Sequence, residues 1–334
     1  MKYPPEIPIL RPLTPGTKQR HLVTLPGAAL SDEPRPVITI TGANRGPVLL
    51  VGAGVPGGEY PAIDAVIRLA RELDPADLAG TVILMPVLNL PAFWSRTMFV
   101  CPVDNVNPNR VFPGDLAGSY SEQMTHALVH EFIAHADAYL DLHGGDIPEA
   151  LIPFSICRRG DTEADRRGLE LALAFGLPYT LTVSRPIQQA KGSSSYFAAA
   201  EIGVPAVLAE AGGAGLLQED AVALLTDGVR RVLRHLGMSH EAVPEVSAPA
   251  VLTAFEWVYA TNAGMFYPHV AAGDLVPEGA AIGTIGSLFG DTIETVIAPV
   301  TGRILFLTIN PAVGAGGLLM GLGVSEANCL PAIE

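Results

Sequence analysis

Basic residues are scarce in this sequence. There are 20 Lys and Arg against 34 Asp and Glu, for a net charge of −14. That balance excludes the broad basic surface a nucleic-acid partner needs, although a local cationic pocket can sit inside an acidic protein. Cysteine is scarce too. Cys101, Cys157 and Cys329 are far apart, odd in number and without a CxxC pair, which argues against a disulfide framework and fits a reducing cytoplasm. No apolar run reaches the roughly 18 residues of a membrane span. The opening MKYPPEIPILRPL has proline where a signal peptide needs an apolar core. Charged residues make up 16% against 49% apolar, so disorder is excluded and a sizeable core is expected. A length of 334 residues predicts two domains, or one large domain with an appendage. The expectation is a cytoplasmic protein that meets small molecules, with no nucleic-acid or membrane partner; a homo-oligomer is compatible with it.

The chain is organised around residues 47–62, PVLLVGAGVPGGEYPA. Residues 48–51 read as a strand buried on both faces. Gly52, Gly54, Gly57 and Gly58 permit a sharp turn and close backbone approach. Glu59 opens an amphipathic helix ending near Leu73, before Asp74-Pro75. Residues 21–25 and 36–41 read as short strands, and 80–87 as a second buried strand. Strand, helix and strand at this spacing make a βαβ unit, hence parallel pairing. Residues 1–18 are proline-rich and read as extended; 89–118 read as a long aperiodic loop of the kind that carries function. Further helices are expected at 121–136, 163–175, 195–202 and 220–236, and strands at 137–142, 179–183 and 205–210. Residues 239–249 read as a linker. Beyond it, short strands alternate with Gly and Pro turns, as in a small all-β domain. The expected division is an α/β domain over 1–240, with an N-terminal β segment at 1–45, and a β domain over 250–334.

Glu59, His143 and Glu210 each follow the end of a strand. Parallel strands present their C-terminal ends on one edge, where ligands bind, so the three can converge. A carboxylate and an imidazole are ordinary zinc ligands, and a further carboxylate can act as general base. A dipole-complementing helix-start Glu and a structural His are the plainer readings of each residue alone.

Four pieces, GAGVPGGEYPAI, VDNVNPNRVFPG, ADAYLDLHGGD and VPAVLAEAGG, occur in order. Together they resemble the succinylglutamate desuccinylase/aspartoacylase family, over roughly residues 20–330. The resemblance implies a zinc-carboxypeptidase-like mixed sheet flanked by helices, plus a small C-terminal barrel-sandwich-like β domain. It implies a zinc-dependent deacylase that cleaves an amide of a small N-acyl amino acid. It makes Glu59 and His143 zinc ligands and Glu210 the group that activates water and protonates the leaving amine. Asn109 and Arg110 would hold a substrate carboxylate, since the guanidinium fork matches two oxygens. Arg96 would stabilise the oxyanion, and Asp141 would orient the site.

One position departs from the resemblance. The family pattern is HGxE in the turn, and this chain has Pro56-Gly57-Gly58-Glu59. Proline has no side-chain donor, so one zinc per chain is expected but weak or absent. The chain is a natural weakly metal-binding relative, or Asp104, Asp141 or Asp146 substitutes, or it is a disabled variant of an active enzyme. Two functions stay open: a metal-dependent deacylase impaired by Pro56, and a binding protein that keeps the pocket without the chemistry. Other signals are weaker. HEFIAH has one residue too many for a zincin helix, so His126 and His130 read as a solvated face. GSSSY lacks the closing glycine of a nucleophile elbow. GGAGLLQED lacks the Lys-Ser/Thr of a P-loop. The C-terminal domain lacks a carrier lysine and reads as structural, shaping the pocket mouth or an oligomer contact.

Overall fold

The computed structural model describes residues 14–186 and 192–325. Cys329 and most of the proline-rich opening lie outside the described residues. The first strands are β1 (Thr17–Val23), β2 (Arg35–Thr41), β3 (Asn44–Ala53), β4 (Ala79–Met85) and β5 (Ala138–His143). They are followed by β6 (Glu149–Leu151), β7 (Phe154–Arg158), β8 (Tyr179–Val183), β9 (Ala206–Glu210) and β10 (Ala250–Leu252). The helices between them are α1 (Tyr60–Glu72), α2 (Leu90–Ser95), α3 (Tyr120–Ala127), α4 (Glu163–Phe175), α5 (Ser195–Glu201) and α6 (Glu219–His235).

All of these strands but β6 form one nine-stranded mixed sheet, in the order β1-β2-β4-β3-β5-β9-β7-β8-β10. The centre is parallel: β3 with β4 and β5, and β5 with β9. Burial on both faces explains why. Leu50 packs into the core on one side with α3 and α5, while Leu49 and Val51 pack into the other with α1, α4 and α6. Each such side chain contributes about 1.5–3 kcal/mol by leaving water. The stripe Ile63, Val66, Leu69 and Ala70 holds α1 on the second face.

A second unit follows: β11 (Ala254–Tyr259), β12 (Gly264–Pro268), β13 (Leu275–Val276), β14 (Ala281–Gly286), β15 (Thr292–Ile297), β16 (Gly302–Thr308), β17 (Ala312–Val313) and β18 (Leu318–Val324). They make two antiparallel sheets, β11-β18-β16-β13 and β15-β14-β12-β17, closed over an aliphatic core. The two units share strands. β10 pairs with β8 on the large sheet, while β6 pairs with β16 on the small one.

The expected mixed α/β fold with an all-β C-terminal part is what the chain adopts. Several elements differ in detail. β1 starts at Thr17 and ends at Val23, short of Leu25. The expected loop at 89–118 contains α2, capped by the Asn89 side chain accepting from Ala92 N at 3.3 Å. It also contains a short 3-10 turn, Pro108–Arg110, capped by Asn107. The expected helix at 121–136 is α3 followed by a π turn, Leu128–Phe132, and a 3-10 turn. Strands β6 and β7 were not expected.

Candidate functional site

The register of the parallel strands brings the site together. His143 ends β5 and Glu210 ends β9, and the two are direct register partners. Glu59 is the N-cap residue of α1, just past the end of β3. Its turn is pressed against α2: a Cβ on Gly57 would run into the Phe93 backbone, and one on Gly58 into the Asp146 carboxylate. Only glycine allows that approach.

Glu59 and His143 meet directly. His143 Nδ1 lies 2.9 Å from Glu59 Oε2, and His143 Nε2 lies 3.0 Å from Asp141 Oδ2. All three side chains are buried. Asp141 also accepts a very short hydrogen bond from Ser195 Oγ, and Glu59 Oε2 accepts from Gly144 N at 3.3 Å. Burial opposes a charge on His143, but Asp141 and then Glu59 outweigh it and raise its pKa well above the usual range. Burial pushes the Glu59 carboxyl up to about 7 against the pull of His143. The two carboxyl groups thus favour the protonated form of the imidazole between them. Burial drives the Glu210 carboxyl well above its usual range; His143 opposes this, while Glu59, Glu149 and Asp141 add to it.

Asn109 and Arg110 arrive on the turn that Asn107 caps. Asn109 N donates to Asn107 Oδ1 at 2.9 Å. Asn109 Nδ2 sits 3.4 Å from His143 Nε2. Arg110 Nη1 donates to the Asn109 carbonyl at 2.9 Å. Burial lowers the Arg110 pKa, with Tyr196 and Glu149 among the groups that pull the other way. Pro56, Glu59, Asn109, Arg110, His143 and Glu210 all line one cavity of about 400 Å³. Among the described residues, Asn109 Oδ1 and Glu210 Oε2 are buried there without a hydrogen-bond partner, a cost that a polar ligand would relieve.

Arg96 takes a left-handed conformation (φ 53°) as the C-cap of α2, is exposed, and is not among the cavity-lining residues. The zinc expectation meets a second difference. Catalytic zinc is held by three protein ligands. Here Pro56 offers no donor, and both ring nitrogens of His143 are engaged by carboxylates. Among the described residues no group of three or more His, Cys, Asp and Glu side chains is placed to hold a metal ion. The donor set does not fit a three-ligand zinc centre. Asp104 does not substitute: it accepts from Ser119 and Ser121, and it does not line the cavity. His126 and His130 stack on one another at 4.1 Å, away from the cavity.

The sequence reading missed Glu149, Tyr196, Phe255, Trp257 and Phe306, which also line the cavity. The aromatic pair on β11 had a usable signal. Phe255 and Trp257 are two apart, as side chains on one face of a strand are.

Carboxylates, an imidazole and a half-buried guanidinium around one small cavity, at the C-terminal edge of a parallel sheet, define an α/β enzyme scaffold for small molecules. The sequence profile of the succinylglutamate desuccinylase/aspartoacylase catalytic domain matches residues 45–236, and the chain belongs to this family. An N-alpha-acetyl-L-2,4-diaminobutyric acid deacetylase of Halomonas elongata is 30% identical over 271 residues, covering 80% of this chain and 77% of the relative. A succinylglutamate desuccinylase/aspartoacylase structure from Rhodobacter sphaeroides is 26% identical with a TM-score of 0.81, covering 92% of this chain and 94% of that one. The product-bound ectoine utilization protein EutE (DoeB) of Ruegeria pomeroyi shares the fold with a TM-score of 0.84 at 23% identity, over 97% and 100% of the two chains. No helix among the described residues is long and apolar enough to cross a membrane.

Proposed function

We propose that this chain recognises a small N-acylated amino acid and acts on its amide as a deacylase. One observation carries the reading. Arg110, Asn109 and Glu210 share one small cavity, two of them with buried oxygens lacking a partner. The relative that deacetylates an N-acetyl amino acid supports the same substrate class.

The residues divide the work by chemistry. The Arg110 guanidinium takes the substrate carboxylate through two parallel N–H···O contacts, and that pairing offsets the cost of burying it. Asn109 meets the amide group with the oxygen it has free. Glu210 handles the proton. In its neutral form it donates to the leaving nitrogen; ionised, it takes a proton from the attacking water. Amide and water become a carboxylate and an amine. Because the Glu210 pKa is raised, the rate of hydrolysis rises with pH through that pKa. The Glu59–His143–Asp141 bridge fixes the floor of the cavity.

A second reading, binding without turnover, is favoured by Pro56 and by the engagement of both His143 nitrogens. Calorimetric titration with N-acetyl and N-succinyl amino acids, paired with chromatographic assay of released amine, tests both. Amine release establishes the deacylase. Binding without release establishes the second reading. Absence of both refutes the proposed substrate class.

A further inference from the structure

The deacylase reading uses only the polar end of the cavity, where Asn109, Arg110, His143 and Glu210 meet. The strand register continues the cavity away from that end. Phe154 of β7 pairs with Glu210 of β9, and Ile156 pairs with Leu208 in the next row on the same face. A two-residue step along a strand is about 7 Å. One step in from Glu210, the large sheet therefore presents Ile156 and Leu208, and both line the cavity.

The C-terminal sheet supplies another wall. One row crosses four of its strands: Trp257 of β11, Gly321 of β18, Phe306 of β16 and Leu151 of β6. A Cβ on Gly321 would run into the rings of both Phe255 and Phe306, so glycine is what lets the rings close over the middle strand. Phe255 and Phe306 lie within 16° of parallel at 6.1 Å. Trp257 stands edge-on to them at 4.9 and 5.5 Å. All three rings line the cavity.

The polar side chains near these rings are answered elsewhere. Thr308 Oγ1 donates to the Pro148 carbonyl at 3.2 Å. Glu149 Oε2 accepts from Asp146 N at 3.2 Å. Burial pushes the Glu149 carboxyl up to about 7, which disfavours its charge, and Arg110 meets what charge it carries. Tyr196, Glu149 and Glu210 all act on the Arg110 guanidinium. These polar groups gather at one end, and the rings and aliphatic side chains hold the other.

We propose that Ile156, Leu208 and the Phe255–Trp257–Phe306 rings form a subsite for an apolar group of aromatic or branched-aliphatic size, so that the preferred ligand is an N-acyl amino acid carrying such a group about 7 Å from its amide. Taking both apolar surfaces out of water drives the preference. A charged group there would lose its water beside aliphatic walls. The inference rests on the N-acyl amino acid reading above and deepens it. The apolar group can belong to the amino-acid side chain or to the acyl chain, and the test separates the two.

The full chain is titrated calorimetrically at pH 7.5 with four ligands that share the carboxylate and the amide. They are N-acetylglycine, N-acetyl-L-phenylalanine, N-phenylacetylglycine and Nα-acetyl-L-ornithine. At least one phenyl ligand is expected to bind about 10-fold or more tightly than N-acetylglycine. Tighter binding of N-acetyl-L-phenylalanine assigns the subsite to the side chain; tighter binding of N-phenylacetylglycine assigns it to the acyl chain. The ratio to N-acetylglycine should shrink several-fold in Trp257→Ala and in Ile156→Thr, and survive in Trp257→Phe, which keeps a ring. A general loss of folded protein does not move that ratio, and circular dichroism checks the fold of each variant. Equal affinity of the wild-type protein for N-acetylglycine and both phenyl ligands, or tightest binding of Nα-acetyl-L-ornithine, overturns the apolar subsite while leaving the substrate class intact. A ratio unchanged in Trp257→Ala and Ile156→Thr overturns the assignment of these residues. Failure of all four ligands to bind overturns the underlying reading as well.

Discussion

Replacing His143 with glutamine tests the buried bridge at the centre of the site. In the intact protein His143 lies 2.9 Å from Glu59 and 3.0 Å from Asp141, with almost no exposure, and both neighbours favour its protonated form. Removing it leaves two buried carboxylates facing one another. Breaking a buried pair costs about 3–5 kcal/mol when the remaining charge stays, but a stranded carboxyl lowers that cost by taking a proton. The sign follows from the pKa directions. In the variant the Glu59 carboxyl, already raised to about 7 with His143 present, rises further. A carboxyl raised in the folded state is destabilising wherever it is ionised in the unfolded chain, so the variant loses stability as pH rises. The wild-type imidazolium has a raised folded pKa, so its contribution is complete below the unfolded value of about 6.5 and fades only as pH climbs through the folded one. Because the wild-type protein also loses stability as pH rises, the variant deficit is expected to be about 3 kcal/mol at pH 6, where the imidazolium contribution is complete, and not to grow between there and pH 8. Urea denaturation across that range measures it. A deficit under about 1 kcal/mol at pH 6, or one that grows steadily with pH, would refute the charged bridge.

Other outcomes follow from single contacts. Arg110→Gln should weaken binding of an N-acyl amino acid by roughly 30-fold or more, a loss of about 2 kcal/mol or greater for a buried charge pair. The same ligand with its carboxylate converted to a carboxamide should show little difference between the two proteins by calorimetry. Gly321→Ala should cost about 1–3 kcal/mol in denaturant unfolding, because the new methyl meets the Phe255 and Phe306 rings. Asn89→Ala should cost about 1 kcal/mol through loss of the α2 cap, read by the same method.

The parts of the fold that sequence makes legible are those decided by local pattern. β3 is apolar on both faces, α1 and α6 carry one apolar stripe each, and α4 has a capping Thr162 and a closing Gly176. The helices and β8 coincide closely with expectation, α4 and β8 to the residue, while β3 begins at Asn44, ahead of the expected strand at 48–51. Glu59, His143 and Glu210 were legible as a group because parallel strands end on one edge. β6 was not legible. Three residues beside Pro148 carry no periodicity, and only pairing with β16 makes them a strand. The exposed setting of Arg96 was not legible for a similar reason: it is the left-handed cap of α2, and nothing in the neighbouring residues announces that turn. Glu149 and the aromatic wall depend on how the second sheet closes over the first, a tertiary fact with no counterpart in a local motif.

The most direct measurement is zinc content by elemental analysis on protein grown with added zinc and purified without chelator. It should be made on the natural chain and on Pro56→His side by side, with amide hydrolysis followed in both. The donor set as it stands predicts far less than one zinc per natural chain. It predicts close to one in Pro56→His, with hydrolysis higher there by about 100-fold or more, since even outer-shell losses cost about 10–100-fold. About one tightly held zinc in the natural chain would contradict the account, because it would require a neighbouring carboxylate such as Asp141 or Glu210 to serve as a third ligand, and no three donors among the described residues are placed to do so.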